Sequence, residues 1–223
     1  MASSKSLPPN LHIRPATEAD IPVLTSNFYT SFGHAPFMAY LFPKSPYFDK
    51  WWNEVFTLGL RNPTDRTFVV TDSNARDKVV AFSRWMVPQP DGSLERKWPE
   101  VGGEAWGDME VASAFFGGMG GNHEKIMGNR PHWFLELLGT DKAYQRQGIA
   151  GALIRWGTDK ADKEGLETYL DASEEGREYY IRRHDFVLKG EIPIPSRPDS
   201  YGEFQCVSVL RQPRKSEGNG HAR

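Results

Sequence analysis

Six consecutive residues, Gln145–Ala150, could bind a phosphate group through their backbone. They lie between an apolar run and an amphipathic run, so they would form the loop that leads from a strand into a helix. The first amide groups of a helix have no intrahelical acceptor, and the helix dipole makes that end positive. Gly148 and the small Ala150 would let a phosphate approach closely, and Arg146 and Lys142 add positive charge at the rim.

This pattern alone is weak evidence, because a plain tight turn explains the same residues equally well. The loop matches neither Gly-x-x-x-x-Gly-Lys-Ser/Thr nor Gly-x-Gly-x-x-Gly, so the common nucleoside triphosphate and dinucleotide fingerprints are absent. The elements around the loop must therefore supply further evidence.

Three elements would position this loop. Residues 132–138 predict a strand, residues 147–164 an amphipathic helix, and residues 166–172 a second strand. The helix carries apolar side chains at i, i+3, i+4 and i+7, namely Ile149, Ala152, Leu153 and Trp156. A strand, a helix and a strand within about forty residues predict a parallel pair joined by a crossover helix.

The remaining elements are predicted from shorter patterns. A strand at residues 11–14 is followed by a helix that begins near Thr17, with Asp20 as its capping partner, and runs to about Phe32. Further predictions are a helix at 47–60, a hairpin of strands at 67–71 and 78–87, an irregular stretch at 88–107, a helical stretch at 109–127 interrupted by the glycines of 117–121, a short helix at 175–183, and strands at 186–188 and 204–210.

Length and composition favour one globular protein domain. The chain has 223 residues, 39% of them hydrophobic and 25% charged, with 27 Lys and Arg against 29 Asp and Glu. We expect flexible ends at residues 1–10 and 212–223 and a single domain over 11–211. The amino terminus has no apolar core of a secretory signal, and no apolar run approaches the roughly 18 residues that span a bilayer. These features predict a cytoplasmic protein without a membrane partner.

Charge and reactive residues exclude several classes of function. A net charge of −2 gives no basic footprint for nucleic acid as the main partner. Cys206 is the only cysteine, so an internal disulfide is impossible and a buried structural thiol is the better interpretation. His123-Glu124 is not followed by a second metal-ligating histidine, so we expect no metal site. A Gly-x-Ser-x-Gly nucleophile elbow is also absent from the sequence.

Taken in order, these segments resemble the GNAT superfamily of acetyl-CoA-dependent N-acetyltransferases. The resemblance lies in the strand at 132–138, the Gln145-Arg-Gln-Gly-Ile-Ala loop, the Tyr169-Leu-Asp-Ala-Ser strand and the Glu174-Glu-Gly-Arg-Glu-Tyr-Tyr segment that follows it. The opening residues 13–20 are also similar to the first strand and helix of that family. The match is strong over roughly residues 130–188, and the amino half matches only in outline.

The resemblance implies an α/β fold with a strongly bent mixed sheet, flanked by helices and splayed at its central parallel strands. Acetyl-CoA would bind in the cleft, with its pyrophosphate on the amides of residues 147–151 and its pantetheine beside residues 137–140, like an added strand. The expected cofactor-binding residues are Leu137, Leu138, Thr140, Gln145, Arg146, Gln147, Gly148, Ile149, Ala150, Gly151 and Ser173.

Acetyl transfer needs an acid for the leaving thiolate, and the family resemblance places it on the helix after the Ala-Ser strand. Counting forward from Ser173 puts the acid at Tyr180. Counting back from Phe186 puts Ile181 there instead, because the segment is one residue longer than the family pattern. Tyr179 is the competitor, and one of the two tyrosines would serve only for packing.

The reaction also needs a base for the acceptor ammonium group. Alternation places His132, Phe134 and Glu136 on one face of the strand. The other face would hold Trp133, Leu135 and Leu137 against a helix. Glu136 is the first candidate for the base, directly or through water, although a salt-bridged cleft wall is the plainer interpretation. His132 is a weaker candidate that could instead cap the strand entry.

The acceptor remains open at this level. Aromatic and histidine side chains for an acceptor pocket are available in the amino half and the central insert, although most would belong to the core: His34, Phe37, Tyr40, Phe42, Trp106 and Phe116. We expect a small-molecule amine as the acceptor. The alternatives are a protein or peptide N-acetyltransferase and a non-catalytic acyl-CoA sensor, and the protein could be a monomer or a homodimer.

Overall fold

The computed structural model describes residues 6–94, 96 and 98–214. The elements are β1 (Leu11–Pro15), α1 (Ile21–Phe32), α2 (Pro36–Leu41), α3 (Pro46–Arg61), β2 (Asp65–Asp72), β3 (Lys78–Met86), α4 (Met109–Met127), β4 (His132–Thr140), α5 (Ile149–Glu164), β5 (Glu167–Ser173), α6 (Glu174–His184), β6 (Val187–Ile192) and β7 (Cys206–Arg211). Among the described residues, no helix combines the length and apolar character needed to cross a lipid bilayer.

One seven-stranded mixed sheet organises the molecule, in the order β1-β2-β3-β4-β5-β7-β6. β4 and β5 are parallel and are joined through α5, whereas their other neighbours in the sheet are antiparallel. The sheet is open and has helices against it, which confirms the predicted mixed α/β class. The predicted parallel pair with its crossover helix and the hairpin of β2 and β3 are also confirmed.

An aromatic core covers the sheet on the side of α1, α2 and α3. Phe28 of α1 and Trp52 of α3 stack with their ring centroids 3.7 Å apart. Phe37, Phe42 and Trp106 are buried in the same cluster, so these three acceptor-pocket candidates are core residues. Much of the aromatic content of the chain therefore stabilises this half of the fold by burial.

The opposite side of the sheet is covered by α5. Leu153 and Ile154 are completely buried against the sheet, and Trp133 and Leu135 of β4 pack there. Gly165, with φ +68°, ends α5 in the left-handed conformation that favours glycine at this position. The amphipathic pattern thus identified this helix correctly, and α5 begins at Ile149 in the structure.

Two local predictions need correction. α4 runs without a break from Met109 to Met127, although glycines at 117–121 were expected to interrupt it. Close packing explains the continuity, because a Cβ on Gly118 would lie 2.6 Å from the Ile192 side chain. The helix predicted to start at Thr17 begins instead with a short 3-10 turn at Glu18–Asp20, and Thr17 donates its backbone N–H to the Asp20 carboxylate at 2.8 Å.

The described residues near both ends of the chain make hydrogen bonds with the rest of the protein. The predicted flexible segments 1–10 and 212–223 include residues 1–5 and 215–223, which lie outside the described part. Of the described residues, Asn10 donates to Asp72 at 2.7 Å, and the Arg214 backbone donates to Asp162 at 2.7 Å. The assignment of residues 11–211 to one domain stays a prediction.

Candidate active site

The central feature of the candidate site is a gap between the two parallel strands. β4 and β5 pair only from His132 to Phe134 and from Glu167 to Tyr169, and beyond these positions the strands separate. β4 continues for six more residues, to Thr140, with β3 as its partner on the other edge. The edge of β4 that faces β5 therefore offers backbone groups to another extended chain.

A β-bulge at Glu136 changes which side chains face the gap. Arg84 of β3 pairs with Leu137 and Trp85 pairs with Leu135, so Glu136 is the additional residue. The expectation that Leu137 shares a face with Trp133 and Leu135 is wrong. Leu137 packs with the aromatic core instead, because the bulge shifts the alternation by one residue.

The loop after β4 has the geometry of an anion site. Arg146 and Gly148 adopt positive φ angles of 63° and 90°, and α5 begins directly afterwards. Gly148 stands at the cap position, and no side chain accepts from the first turn of the helix. The amides of the following residues thus have no acceptor within the helix. Gln145 holds the loop to the end of β4 through a 3.4 Å hydrogen bond to the Thr140 carbonyl.

These residues fit a thioester cofactor that carries a pyrophosphate. The uncapped first turn of α5 would receive the negative charge. The free edge of β4 over Leu137, Leu138 and Thr140 would pair with an extended amide chain. In addition, the Thr140 hydroxyl is buried without a hydrogen-bond partner among the described residues, which leaves a polar group available for a ligand.

α6 packs across the start of α5 and carries both candidate tyrosines. A Cβ on Gly151 would lie 2.7 Å from the Tyr179 hydroxyl, so glycine is needed for this approach. Tyr179 is 39% exposed. Tyr180 is half-buried, and its ring packs against Phe186 with centroids 5.8 Å apart. Burial raises the pKa of Tyr180 well above its ordinary value, with a smaller contribution from Tyr179.

α6 ends after Tyr180 in a common left-handed helix end. The backbone N–H groups of Asp185 and Phe186 both donate to the Tyr180 carbonyl, five and six residues back. Asp185 adopts a left-handed φ of 59°. The choice of Tyr180 rather than Tyr179 as the acid stays a prediction.

Glu136 lies in the gap, but hydrogen bonds occupy both of its carboxylate oxygens. Arg84 Nε donates to Oε2 at 2.6 Å, and Trp98 Nε1 donates to Oε1 at 2.5 Å. Arg84 is 1% exposed and also donates to the Val55 carbonyl of α3 at 2.8 Å. The surroundings of Glu136 match the salt-bridged cleft wall. Its role as a base stays a prediction.

A second buried carboxylate in the gap, Asp171 of β5, was not predicted as a site residue. Its Oδ1 accepts hydrogen bonds from the hydroxyls of Tyr169 and Ser208, each at 2.7 Å. Arg96, from the irregular segment after β3, lies between Asp171 and Glu136, with closest distances of 3.5 and 3.9 Å. Asp171 is the charged residue of the otherwise uncharged 168–173 stretch, which was the available indication.

Two histidines at the start of the gap form an uncharged pair. His132 Nδ1 lies 2.7 Å from the Arg130 carbonyl, which can only accept, so this nitrogen carries the hydrogen. Its Nε2 therefore accepts from His123 Nε2 at 2.8 Å. Burial is the main cause that lowers the pKa of both rings, to about 3 for His123. This arrangement matches the proposed strand-entry role of His132.

The segment that connects β6 and β7 packs against α2 and the start of α4. Phe204 stacks on Phe37 with centroids 3.9 Å apart, and Arg197 forms an ion pair with Asp108 at 2.7 Å. A groove of about 310 Å³ lies within this hairpin, lined by residues 191–194, 196 and 203–207. Cys206, which lines the groove, pairs with Ser173 on the edge of β5 that faces away from β4.

The remaining predicted residues have simple placements. His34 Nε2 lies 3.5 Å from Glu175 Oε2 of α6, and Tyr40 donates to Asp108 at 2.8 Å. Ser173 precedes α6 without a side-chain capping bond. Cys206 is a buried thiol, as predicted, and burial raises its pKa to about 12. Within the described ranges, three His, Cys, Asp or Glu side chains do not cluster in a way that could hold a metal ion.

Comparison with known proteins relates this geometry to one family. The model of the acetyltransferase (GNAT) family matches residues 27–186. A histone acetyltransferase HPA2 and related acetyltransferase from Corynebacterium glutamicum has a similar structure, with a TM-score of 0.57 and 19% identity over 93% of this chain and 99% of that one.

Two further solved structures share the fold. The ribosomal-protein-S18-alanine N-acetyltransferase from Escherichia coli has a TM-score of 0.52 and 16% identity, over 95% of this chain and 99% of that one. The mosquito arylalkylamine N-acetyltransferase like 5b has a TM-score of 0.59 and 11% identity, over 91% and 99%. At these identities the likeness concerns the fold alone.

Proposed function

Because the chain belongs to the GNAT acetyltransferase family, we propose that it transfers an acetyl group from acetyl-CoA to the primary amine of a small-molecule acceptor. The amine attacks directly in a ternary complex, in the cytoplasm. The observation that carries the proposal is the gap between β4 and β5, which has an uncapped helix start at one side and buried carboxylates at the other.

The cofactor side of the gap would hold acetyl-CoA through backbone groups. The amides of residues 147–151 receive the pyrophosphate, with Gln145 and Arg146 completing the loop, and Leu137, Leu138 and Thr140 pair with the pantetheine. Ser173 borders the cleft from the end of β5. Bound acetyl-CoA supplies the acetyl group as an activated thioester. A backbone N–H of β4 then donates to the thioester oxygen and stabilises the charge that develops there.

Tyr180 is the proposed acid. Its hydroxyl makes no hydrogen bond within the part of the chain that the structure describes, and its raised pKa keeps it protonated at neutral pH. It can therefore donate a proton to the leaving thiolate. The acceptor's proton goes to a carboxylate of the gap, for which Glu136 was predicted and Asp171 is the second candidate.

The choice of a small acceptor rests on the segment between β6 and β7. The solved structures of the same fold include an enzyme whose name gives a ribosomal-protein alanine and one whose name gives an arylalkylamine, so the fold does not select the class. A peptide chain needs an open trough, whereas here the Phe204–Phe37 stack and the Arg197–Asp108 pair hold the segment between β6 and β7 against α2 and the start of α4. We therefore choose a small molecule as the acceptor.

Acetyl-CoA binding and turnover test this proposal together. Calorimetry should show binding of acetyl-CoA, and free thiol should appear only when an amine from a panel of small alkyl, arylalkyl and sugar amines is added. Thiol release with a peptide library alone would support a protein acceptor instead. Binding without turnover on either set would support a sensor, and a failure to bind acetyl-CoA would overturn the proposal.

A further inference from the structure

Asp171 and Glu136 face each other across the gap. Phe134 and Tyr169 form the last registered pair of β4 and β5, and each carboxylate lies two residues beyond it. Both lie on the face of the sheet that α4 covers, since Tyr169 packs with Phe134 and Met127. Arg96 spans the two groups, and its guanidinium lies between them.

The two carboxylates differ in whether one oxygen has no close hydrogen-bond donor and can therefore accept a proton. Both oxygens of Glu136 accept short hydrogen bonds, Oε2 from the guanidinium of Arg84 and Oε1 from the indole of Trp98. Glu136 also neutralises the charge of the buried Arg84. Protonation of Glu136 would remove the closest counter-ion of that guanidinium and leave only Asp65 at 3.9 Å among the described residues, which is costly in a buried site. Oδ1 of Asp171 is similarly occupied, but among the described residues Oδ2 accepts only the long 3.5 Å hydrogen bond from Arg96.

Burial gives the free oxygen a suitable basicity. The Asp171 side chain is 6% exposed, and desolvation raises its pKa, against smaller lowering effects of Arg96, Tyr169 and Ser208. A carboxylate with a raised pKa is a better base for an ammonium group. Oδ2 points towards the β4 side, because Arg96, which it contacts, also reaches Glu136 there.

We propose that Asp171, through Oδ2, is the catalytic base that removes a proton from the acceptor's ammonium group, and that Glu136 positions Arg84. This inference rests on the proposed N-acetyl transfer. Of the three ammonium protons, one passes to Asp171 and then to water. One stays on the nitrogen of the amide product. The third leaves the nitrogen when the C–S bond breaks and, through Tyr180, ends on the sulfur of CoA.

Other titratable groups surround Asp171 and set the pH at which it works. Arg96 and Tyr169 contact it directly, Cys206 lies next to Ser208 on β7, and His123 of α4 packs on the Tyr169 ring at 4.9 Å. Cys206 and His123 are uncharged at neutral pH because burial shifts both pKa values away from 7. Among the described residues, Arg96 is thus the charged group in contact with Asp171 from outside its own strand, and Glu136 is the carboxylate that faces Asp171 across the gap.

The test compares Asp171→Asn with Glu136→Gln on two acceptors at about pH 8.5. These are the best amine of the panel, which is protonated at this pH, and its β,β-difluoro analogue, whose fluorines lower the amine pKa so that most of it is unprotonated. Asparagine can still accept the two hydroxyl hydrogen bonds of Oδ1. We expect Asp171→Asn to lower kcat/KM by about 10²- to 10⁴-fold for the basic amine and by less than about tenfold for the fluorinated one. Glu136→Gln should lower both values by the same factor.

Three results would separate this inference from its competitors. Equal losses for both acceptors in Asp171→Asn, with acetyl-CoA affinity intact, would show that Asp171 is only structural. A loss confined to the basic amine in Glu136→Gln would assign the base to Glu136. If wild-type protein binds no acetyl-CoA or acetylates no amine, the proposed function itself fails, which is a different outcome.

A second variant keeps the inference testable if Asp171→Asn does not fold. Ser208→Ala retains the carboxylate and removes one hydrogen bond that lowers its pKa. The acid limb of the kcat/KM profile should then move to higher pH, by about half a unit to one unit. Thr168→Ala, which changes a neighbouring strand residue without a bond to Asp171, is the control. An unchanged acid limb in Ser208→Ala would overturn the proposal.

Discussion

The two sides of the gap between β4 and β5 use different parts of the polypeptide, backbone groups on one side and side chains on the other. The proposed cofactor side uses backbone groups of consecutive residues, 137–151, with glycine at the position where the loop turns into α5. The acceptor side uses side chains from distant segments, with Arg84 52 residues from its partner Glu136 and Asp171 37 residues from Ser208. Backbone groups can bind the same ligand in proteins of different sequence, whereas different side chains allow each protein to bind a different acceptor.

The largest expected effect is a loss of kcat on substitution of one of the two tyrosines of α6, which border both sides of the gap. Tyr180→Phe should lower kcat by about 100-fold or more, because the thiolate loses its proton donor. Tyr179→Phe is the matched control and should change kcat by less than about threefold, since its hydroxyl lies over Gly151 of α5. Steady-state thiol release measures both variants. Full activity in Tyr180→Phe would remove this residue from the mechanism.

On the acceptor side, removal of one buried charge should lower the stability of the fold. Arg84→Met leaves Glu136 buried without its cation, so the free energy of unfolding should fall by about 3–5 kcal/mol. Denaturant unfolding measures this change. The double variant with Glu136→Met should recover part of the loss. Arg61→Met removes an exposed pair with Glu18 and should have little effect. A similar small change for Arg84→Met would show that the buried pair does not support the fold.

The cofactor side should depend on backbone geometry at one glycine. Gly148→Val strains a residue with φ 90° and places a branched side chain at the anion site. The acetyl-CoA Kd should rise by about tenfold or more, equal to about 1.4 kcal/mol. Gly165→Val, at φ 68° in the other end of α5, is the control with comparable strain. If both variants weaken binding equally, helix stability rather than the phosphate site explains the effect.

The last comparison concerns one buried histidine on each side, and it affects stability only below neutral pH. Burial is the main cause that lowers the pKa of His123 to about 3 and that of His184, in α6, to about 4. Below about pH 6.5 the unfolded chain therefore binds protons that the folded chain does not. The free energy of unfolding then falls with falling pH, by up to about 1.4 kcal/mol per unit for each group, until the folded pKa is reached.

Replacing either histidine by glutamine should flatten this dependence. The pH dependence of the free energy of unfolding should be flatter down to about pH 3 in His123→Gln and down to about pH 4 in His184→Gln. Chemical unfolding at a series of pH values checks the two windows. Identical profiles for wild type and His123→Gln would contradict the uncharged pair of His123 and His132.

The sequence predicted what depends on neighbours along the chain. The period of α5, the loop at Gly148 and the strand before it are local patterns, and the structure contains each of them. The face of Leu137 could not be derived in this way, because a bulge at Glu136 depends on how β3 pairs with β4. Likewise, the occupied oxygens of Glu136 depend on Arg84 and Trp98, which approach from other segments.

Asp171 shows the same limit. Its position in an apolar strand was visible, but its relation to the gap requires that β5 leaves β4 after Tyr169 and that Ser208 returns beside it. Topology, rather than residue type, makes this carboxylate part of the site. For the same reason, the continuity of α4 could not be predicted. Its glycines have a low helix propensity, which predicted a break, whereas the contact of Gly118 with β6 favours a continuous helix.

The helix end of α6 also bears on deletions. Asp185, with a left-handed φ of 59°, ends the helix, and the N–H groups of Asp185 and Phe186 both bond to the Tyr180 carbonyl. Deleting one residue between Glu174 and Tyr179 would rotate Tyr180 by about 100° around the helix axis. Deleting one residue after Tyr180 would leave its position relative to Ser173 unchanged.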